Sequence, residues 1–131
     1  MFQGSCLCGA VKYEFDAAPE YTGHCHCAMC RKAHGAAFGT YAIIPKESFR
    51  FTGGLDSIAE YCSSPGIVRT FCRHCGSTLQ FIREDRGDLG VTVGTIDSGP
   101  ELELNFQVWT SVRADWGRID DDLPSYETDL W

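Results

Sequence analysis

Ile67-Val68-Arg69-Thr70-Phe71-Cys72-Arg73-His74-Cys75-Gly76-Ser77-Thr78-Leu79-Gln80-Phe81-Ile82 is the stretch that decides the fold. Ile67–Phe71 and Thr78–Ile82 are short β-rich runs. Between them sits C-x-x-C followed by glycine. Two thiolates three residues apart can reach one metal across a tight turn, and Gly76 lets the backbone turn back so that its amides face the sulfurs. The reading is a β-fold clipped by metal.

The flanking sequence reads the same way. Val11, Tyr13 and Phe15 alternate with Lys12 and Glu14, the period of a half-buried strand. Phe38–Ile44 is an apolar, β-rich run stopped by Pro45. Phe49–Thr52 ends at Gly53-Gly54. Ser57–Cys62 alternates around Ile58 and Tyr61 and breaks at Ser63-Ser64-Pro65-Gly66. Leu89–Ile96 is a further run. In Leu102–Val108, Leu102, Leu104, Phe106 and Val108 share a face opposite Glu103, Asn105 and Gln107. Only Ala28–Gly35 reads as helix, about two turns. The tail from Asp120 to Trp131 is acidic and reads as irregular. The expectation is a mainly β, antiparallel single domain over residues 1–131, with few short helices.

Composition narrows the function classes. At 131 residues the chain can close one core and not two ordinary ones. Hydrophobic residues make 44% and charged residues 22%, as in soluble globular domains. A net charge of −7 argues against nucleic acid or an anionic membrane as partner, since both need a positive face. No run approaches the apolar length of a membrane span. Met1-Phe2-Gln3-Gly4-Ser5-Cys6 carries neither a basic n-region nor an apolar h-region, so a cytoplasmic, reducing compartment is expected.

Seven of the eight cysteines fall into three groups. Cys6 and Cys8 form C-x-C before Gly9. Cys25, Cys27 and Cys30 form C-x-C-x-x-C. Cys72 and Cys75 complete the set. Zinc takes four ligands in a tetrahedron, so the two pairs Cys6, Cys8, Cys72 and Cys75 make a closed structural site. The triplet supplies three sulfurs and leaves a position open, as catalytic zinc requires. Two zinc ions per chain are expected.

Other readings of the same residues exist. Four disulfides would suit an oxidising compartment, not a reducing one. Cys62, His24, His26 or His34 could close the triplet and make both sites structural. Cys62, alone on a strand pattern, also suits a small core residue. His24, His26 and His74 flank cysteines as metal neighbours or surface groups do. Iron–sulfur ligation does not match a C-x-C pair split from C-x-x-C.

Three motifs carry a resemblance: Gly4-Ser5-Cys6-Leu7-Cys8-Gly9-Ala10-Val11, His24-Cys25-His26-Cys27-Ala28-Met29-Cys30-Arg31-Lys32 and Phe71-Cys72-Arg73-His74-Cys75-Gly76-Ser77. Gly94-Thr95-Ile96-Asp97 and Trp109-Thr110-Ser111-Val112-Arg113-Ala114-Asp115-Trp116 add weaker matches. The chain resembles the glutathione-dependent formaldehyde-activating enzyme family, also called centromere protein V-like, from Gly4 to about Trp116. The resemblance implies a mainly antiparallel β-tent. It implies structural zinc on Cys6, Cys8, Cys72 and Cys75, and a second zinc on Cys25, Cys27 and Cys30 near the glutathione site. The implied activity is carbon–sulfur lyase chemistry that forms S-(hydroxymethyl)glutathione from glutathione and formaldehyde. Gln107, where relatives often carry His, and Asp115, where they often carry Pro, depart from the pattern and bear on substrate identity.

An open zinc can hold a substrate thiol as thiolate or polarise a carbonyl. Three thiolates leave the site at −1, which favours the first role. Glutathione brings two carboxylates, so a local cationic patch is expected. Arg31 and Lys32, directly after the triplet, and Arg113 are the candidate substrate contacts. Trp109 and Trp116 are candidate pocket walls or core residues. The alternative class is a zinc-stabilised binding module without chemistry, and an exchangeable fourth position at the triplet separates the two.

Overall fold

A computed structural model of the chain describes residues 1–130. Its strands are β1 Phe2–Ser5, β2 Lys12–Phe15, β3 Tyr21–Cys25, β4 Gly39–Pro45, β5 Phe49–Gly53, β6 Ile58–Ser64, β7 Ile67–Cys72, β8 Thr78–Arg83, β9 Asp88–Thr92, β10 Ile96–Ser98 and β11 Phe106–Val108. Helix α1 spans Ala28–His34. The strands form two open sheets, ordered β10-β1-β2-β5 and β11-β3-β4-β9-β8-β7-β6. The fold is mainly β and mainly antiparallel, as expected. The exception is β11, which runs parallel to β3 with Val108 opposite Cys25.

The core fills the space between the sheets. Phe2, Val11, Tyr13 and Phe15 meet Ile44, Leu79, Leu89 and Val91 there. Phe2 stacks on Phe15 at 4.6 Å and Tyr13 on Phe49 at 5.0 Å. Each such side chain contributes about 1.5–3 kcal/mol on burial. The Tyr13 hydroxyl is bonded to Thr95 Oγ1 at 2.7 Å. Close approach sets Gly54: its φ is +79°, and a Cβ there would lie 2.0 Å from the Ala10 carbonyl oxygen.

The larger sheet has work on both faces. Along β4, Ala42 and Ile44 are fully buried, whereas Tyr41 and Ile43 line a cavity on the opposite side. Along β7, Ile67 and Arg69 face that same cavity. A strand with core on one face and an apolar-walled cavity on the other reads as an unbroken apolar run, which explains Phe38–Ile44.

The structure departs from expectation in several places. Phe2–Ser5 and Tyr21–Cys25 are strands that carry little apolar alternation. Leu102–Val108 is strand only over Phe106–Val108. Asn105 exchanges hydrogen bonds with the Thr22 backbone, its N–H donating to Thr22 O at 2.7 Å and its Oδ1 accepting from Thr22 N at 3.0 Å. Gln107 is fully buried, against the alternation. Leu89–Ile96 splits at a 3₁₀ turn, Val93–Thr95, where the chain passes from one sheet to the other. The acidic tail, though irregular, is strapped to β11. Gln107 N donates to Pro124 O and Tyr126 N to Gln107 O, both at 3.0 Å.

Candidate functional site

The cysteine-rich turns fold into two clusters. Cys6 and Cys8 sit in the turn after β1, where Cys6 N donates to Val11 O at 3.1 Å and Val11 N to Cys6 Sγ at 3.2 Å. Cys72 ends β7, and Gly76 N closes its turn by donating to Cys72 O at 2.8 Å. Leu7 N donates to Ser77 Oγ at 2.8 Å and joins the two turns. The four Sγ atoms lie within 4.8 Å of one another. Cys6 and Cys8 sulfurs are 3.6 Å apart, and Cys8 and Cys72 sulfurs 3.8 Å. A tetrahedron with metal–sulfur bonds of about 2.3 Å has edges of about 3.8 Å, so the donor set fits zinc in kind and spacing. Hydrogen bonding with Ser77, side chain then backbone, holds the Cys75 pKa down to about 5, which suits a thiolate ligand.

The second cluster is built at a strand-to-helix junction. Cys25 ends β3, Cys27 is the N-cap of α1, and Cys30 lies in the first turn. The cap is made by sulfur itself: Cys27 Sγ accepts from Cys30 N at 3.3 Å. Gly35, in the left-handed region at φ 60°, ends the helix. The three Sγ atoms converge within 4.8 Å, and no other Cys, His, Asp or Glu ligand atom of the described residues joins them. Hydrogen bonds from Cys25 and then Cys27 hold the Cys30 thiol far down, with Tyr41 and Arg69 adding to the effect against burial.

The candidate closing ligands lie elsewhere. Cys62 is exposed and donates to Ser64 O at 3.1 Å. His24 Nδ1 is bonded to Thr40 Oγ1 at 2.9 Å, and its ring packs on Phe38 at 4.0 Å. His26 Nε2 is bonded to Gln107 Oε1 at 3.0 Å. His34 Nδ1 is bonded to Cys30 O at 2.9 Å, and burial lowers its pKa. His74 Nε2 is bonded to Ser57 Oγ at 3.1 Å.

The triplet opens onto a cavity of about 760 Å³. Phe106, Val108 and Trp109 form an apolar wall beside Cys25, Cys27 and Cys30. Trp109 holds a positive φ of 58°, rare for a bulky residue. Its indole Nε1 donates to Asp129 Oδ1 at 3.2 Å. Trp116, the other candidate wall, is 72% exposed and not part of the lining.

The cations of this cavity are Arg69 and Arg83, with Glu84, Asp85 and Asp129 also in the lining. Arg31, Lys32 and Arg113 are outside it. Arg31 is a strut, donating to His26 O at 3.1 Å and Val112 O at 3.2 Å. Lys32 is exposed, and Arg113 donates to Thr110 O at 3.1 Å. Arg69 and Arg83 leave no mark in the local pattern, because a charged residue in or beside a short β-rich run reads as solvent-facing.

The model of the family described as glutathione-dependent formaldehyde-activating enzyme matches residues 1–112. A Schizosaccharomyces pombe protein named an uncharacterized lyase is 30% identical over 80 residues, 61% of this chain and 56% of that protein. A Podospora anserina protein whose name attributes it to the same family is 29% identical over 76 residues, 56% of this chain and 36% of that protein. The matched segments thus span about half or less of these curated relatives. A crystal structure of a Rhodobacter sphaeroides protein superposes with a TM-score of 0.64 at 24% identity, covering 75% of this chain and 90% of the other. That is a likeness of fold.

Proposed function

The chain belongs to the glutathione-dependent formaldehyde-activating enzyme family, and from that membership we propose a lyase-type enzyme acting on the adduct of a thiol, glutathione foremost, with an aldehyde such as formaldehyde. One observation carries the reading: three convergent thiols, with no fourth ligand among the described residues, open onto the cavity.

Cys25, Cys27 and Cys30 would hold one zinc ion, and Cys6, Cys8, Cys72 and Cys75 a second, structural one. At the triplet, bound zinc supplies a position where a substrate thiol is deprotonated at neutral pH. The chain's own groups do the rest. Phe106, Val108 and Trp109 shield the sulfur from water and hold the thiol beside the aldehyde, raising effective concentration. The thiol sulfur bonds to the aldehyde carbon, the carbonyl π pair moves to oxygen, and that oxygen takes up a proton equivalent to the one the thiol gave up. Arg83, a cavity cation that pairs with Asp129, would exchange that partner for a substrate carboxylate, and Glu84 and Asp85 would take an ammonium. Arg31, the nearest cation in sequence to the triplet, serves as the strut that fixes α1 rather than as a contact. We infer one functional domain over residues 1–131. Eight free cysteines suit a reducing compartment such as the cytoplasm.

Calorimetry with glutathione and S-methylglutathione tests the reading. The two ligands share every charged group, so a difference isolates the sulfur. The methylated ligand should bind at least about tenfold more weakly, the loss expected of one charge-assisted contact. Equal binding would move the assignment to a binding module without thiol chemistry.

A further inference from the structure

Arg69 is a buried cation without a carboxylate. Its residue is 6% exposed, and the ion pairs of the described residues involve Arg50, Arg83 and Arg86 instead. Its contacts are Ser63 Oγ at 3.1 Å from Nε, Tyr41 Oη at 2.9 Å from one terminal nitrogen and Cys30 Sγ at 3.7 Å from the other. The guanidinium also lies 5.1 Å from the Phe81 ring centre. The Tyr41 hydroxyl donates to the same Cys30 sulfur at 3.6 Å. A guanidinium taken out of water needs a counter-charge, and the sulfur of Cys30, as a metal-ligating thiolate, would be the one anionic group among these partners.

The four-sulfur cluster has the same donor chemistry, and among the described residues no cation is bonded to its sulfurs. Its sulfurs meet the Val11 amide and the Ser77 hydroxyl, and Cys8 is exposed to water. The two clusters therefore handle negative charge differently. A divalent ion on four thiolates stands at −2, and at the closed cluster solvent screens it. At the triplet three thiolates and a divalent ion stand at −1, and any anionic fourth ligand must be taken into a cavity with apolar walls. A fixed cation at hydrogen-bond range offsets that added charge and does nothing for a neutral ligand.

We propose that Arg69 is a specificity-determining residue that makes the triplet metal site select an anionic fourth ligand over a neutral one, with Tyr41 holding the guanidinium against Cys30. This rests on the reading of the triplet as a metal site with an open position, and it adds what chooses the ligand there.

The test uses full-length protein loaded with cobalt(II), whose visible bands report ligand exchange. Azide, 2-mercaptoethanol and imidazole are titrated at one pH into wild type, Arg69→Gln and Arg69→Lys. Arg69→Gln should lose about tenfold or more in affinity for azide and 2-mercaptoethanol and keep its affinity for imidazole. Arg69→Lys should recover most of the loss. Where Arg69→Gln does not fold, Tyr41→Phe keeps the cation but frees it, and should give a smaller loss confined to the two anionic ligands. Equal losses for all three ligands, or unchanged anion affinity in Arg69→Gln, would overturn the inference. Failure of the thiol reading looks different: wild type would take azide and refuse 2-mercaptoethanol, while the dependence of azide on Arg69 persisted.

Discussion

Cys27 holds two positions at once. Its sulfur is one of three that converge, and it caps α1 by accepting from Cys30 N. Serine keeps the cap, since a hydroxyl oxygen accepts the same amide, but it is a poor ligand for a thiophilic metal. Cys27→Ser should therefore lose one zinc of two and keep its unfolding midpoint close to wild type. Cys27→Ala loses the cap as well and should be less stable than Cys27→Ser by about 1 kcal/mol. Metal counting with urea denaturation measures both. Equal stability of the two variants would contradict the sulfur cap. At this scale the cysteines were legible because ligand chemistry fixes both residue type and spacing. The Arg69–Tyr41 pair was not: Arg69 and Tyr41 lie 28 positions apart, and only strand order brings them to one face.

Among the elements, the two clusters do different jobs because of what they join. The turn after β1 belongs to the four-stranded sheet, and the turn between β7 and β8 to the seven-stranded one. The four-sulfur cluster thus ties one sheet to the other, beside a core in which Cys6 and Cys72 are buried. The triplet ties only β3 to the helix that follows it. Metal bound at the first cluster is folding free energy for the whole chain. Cys72→Ser should leave no cooperative unfolding transition in calorimetry, whereas Cys27→Ser should keep one. A cooperative, zinc-depleted Cys72→Ser protein would contradict this division. Element positions followed the sequence where alternation was regular, as in β2, or where a β-rich run stood between turns, as in β7 and β8. They did not for β3, whose Tyr21-Thr22-Gly23-His24-Cys25 carries little apolar pattern. Its Gly23 is set by β11, since a Cβ there would lie 2.5 Å from Phe106 O. Nor did they for Leu102–Val108, where Asn105 and the buried Gln107 bind neighbouring segments that no local pattern reveals.

Across the whole molecule, a chain of net charge −7 gathers Arg69 and Arg83 into one cavity on the outer face of its larger sheet. The mainly β class was legible from strand-length runs and Gly/Pro turns. The second function of the larger sheet, core on one side and cavity on the other, emerges only from strand order. The strap also matters at this scale. It begins beyond residue 112, where the family match ends, and it brings Asp129 to Trp109 and to Arg83, the latter at 3.3 Å. Thiol chemistry at this cavity requires the triplet to keep a position for substrate sulfur. Zinc-edge X-ray absorption of the two-zinc protein measures this directly. The average should lie midway between three and four sulfurs per zinc, rise to four with glutathione, and stay unchanged with S-methylglutathione. Four sulfurs per zinc before glutathione is added, or no change at saturating glutathione, would contradict it.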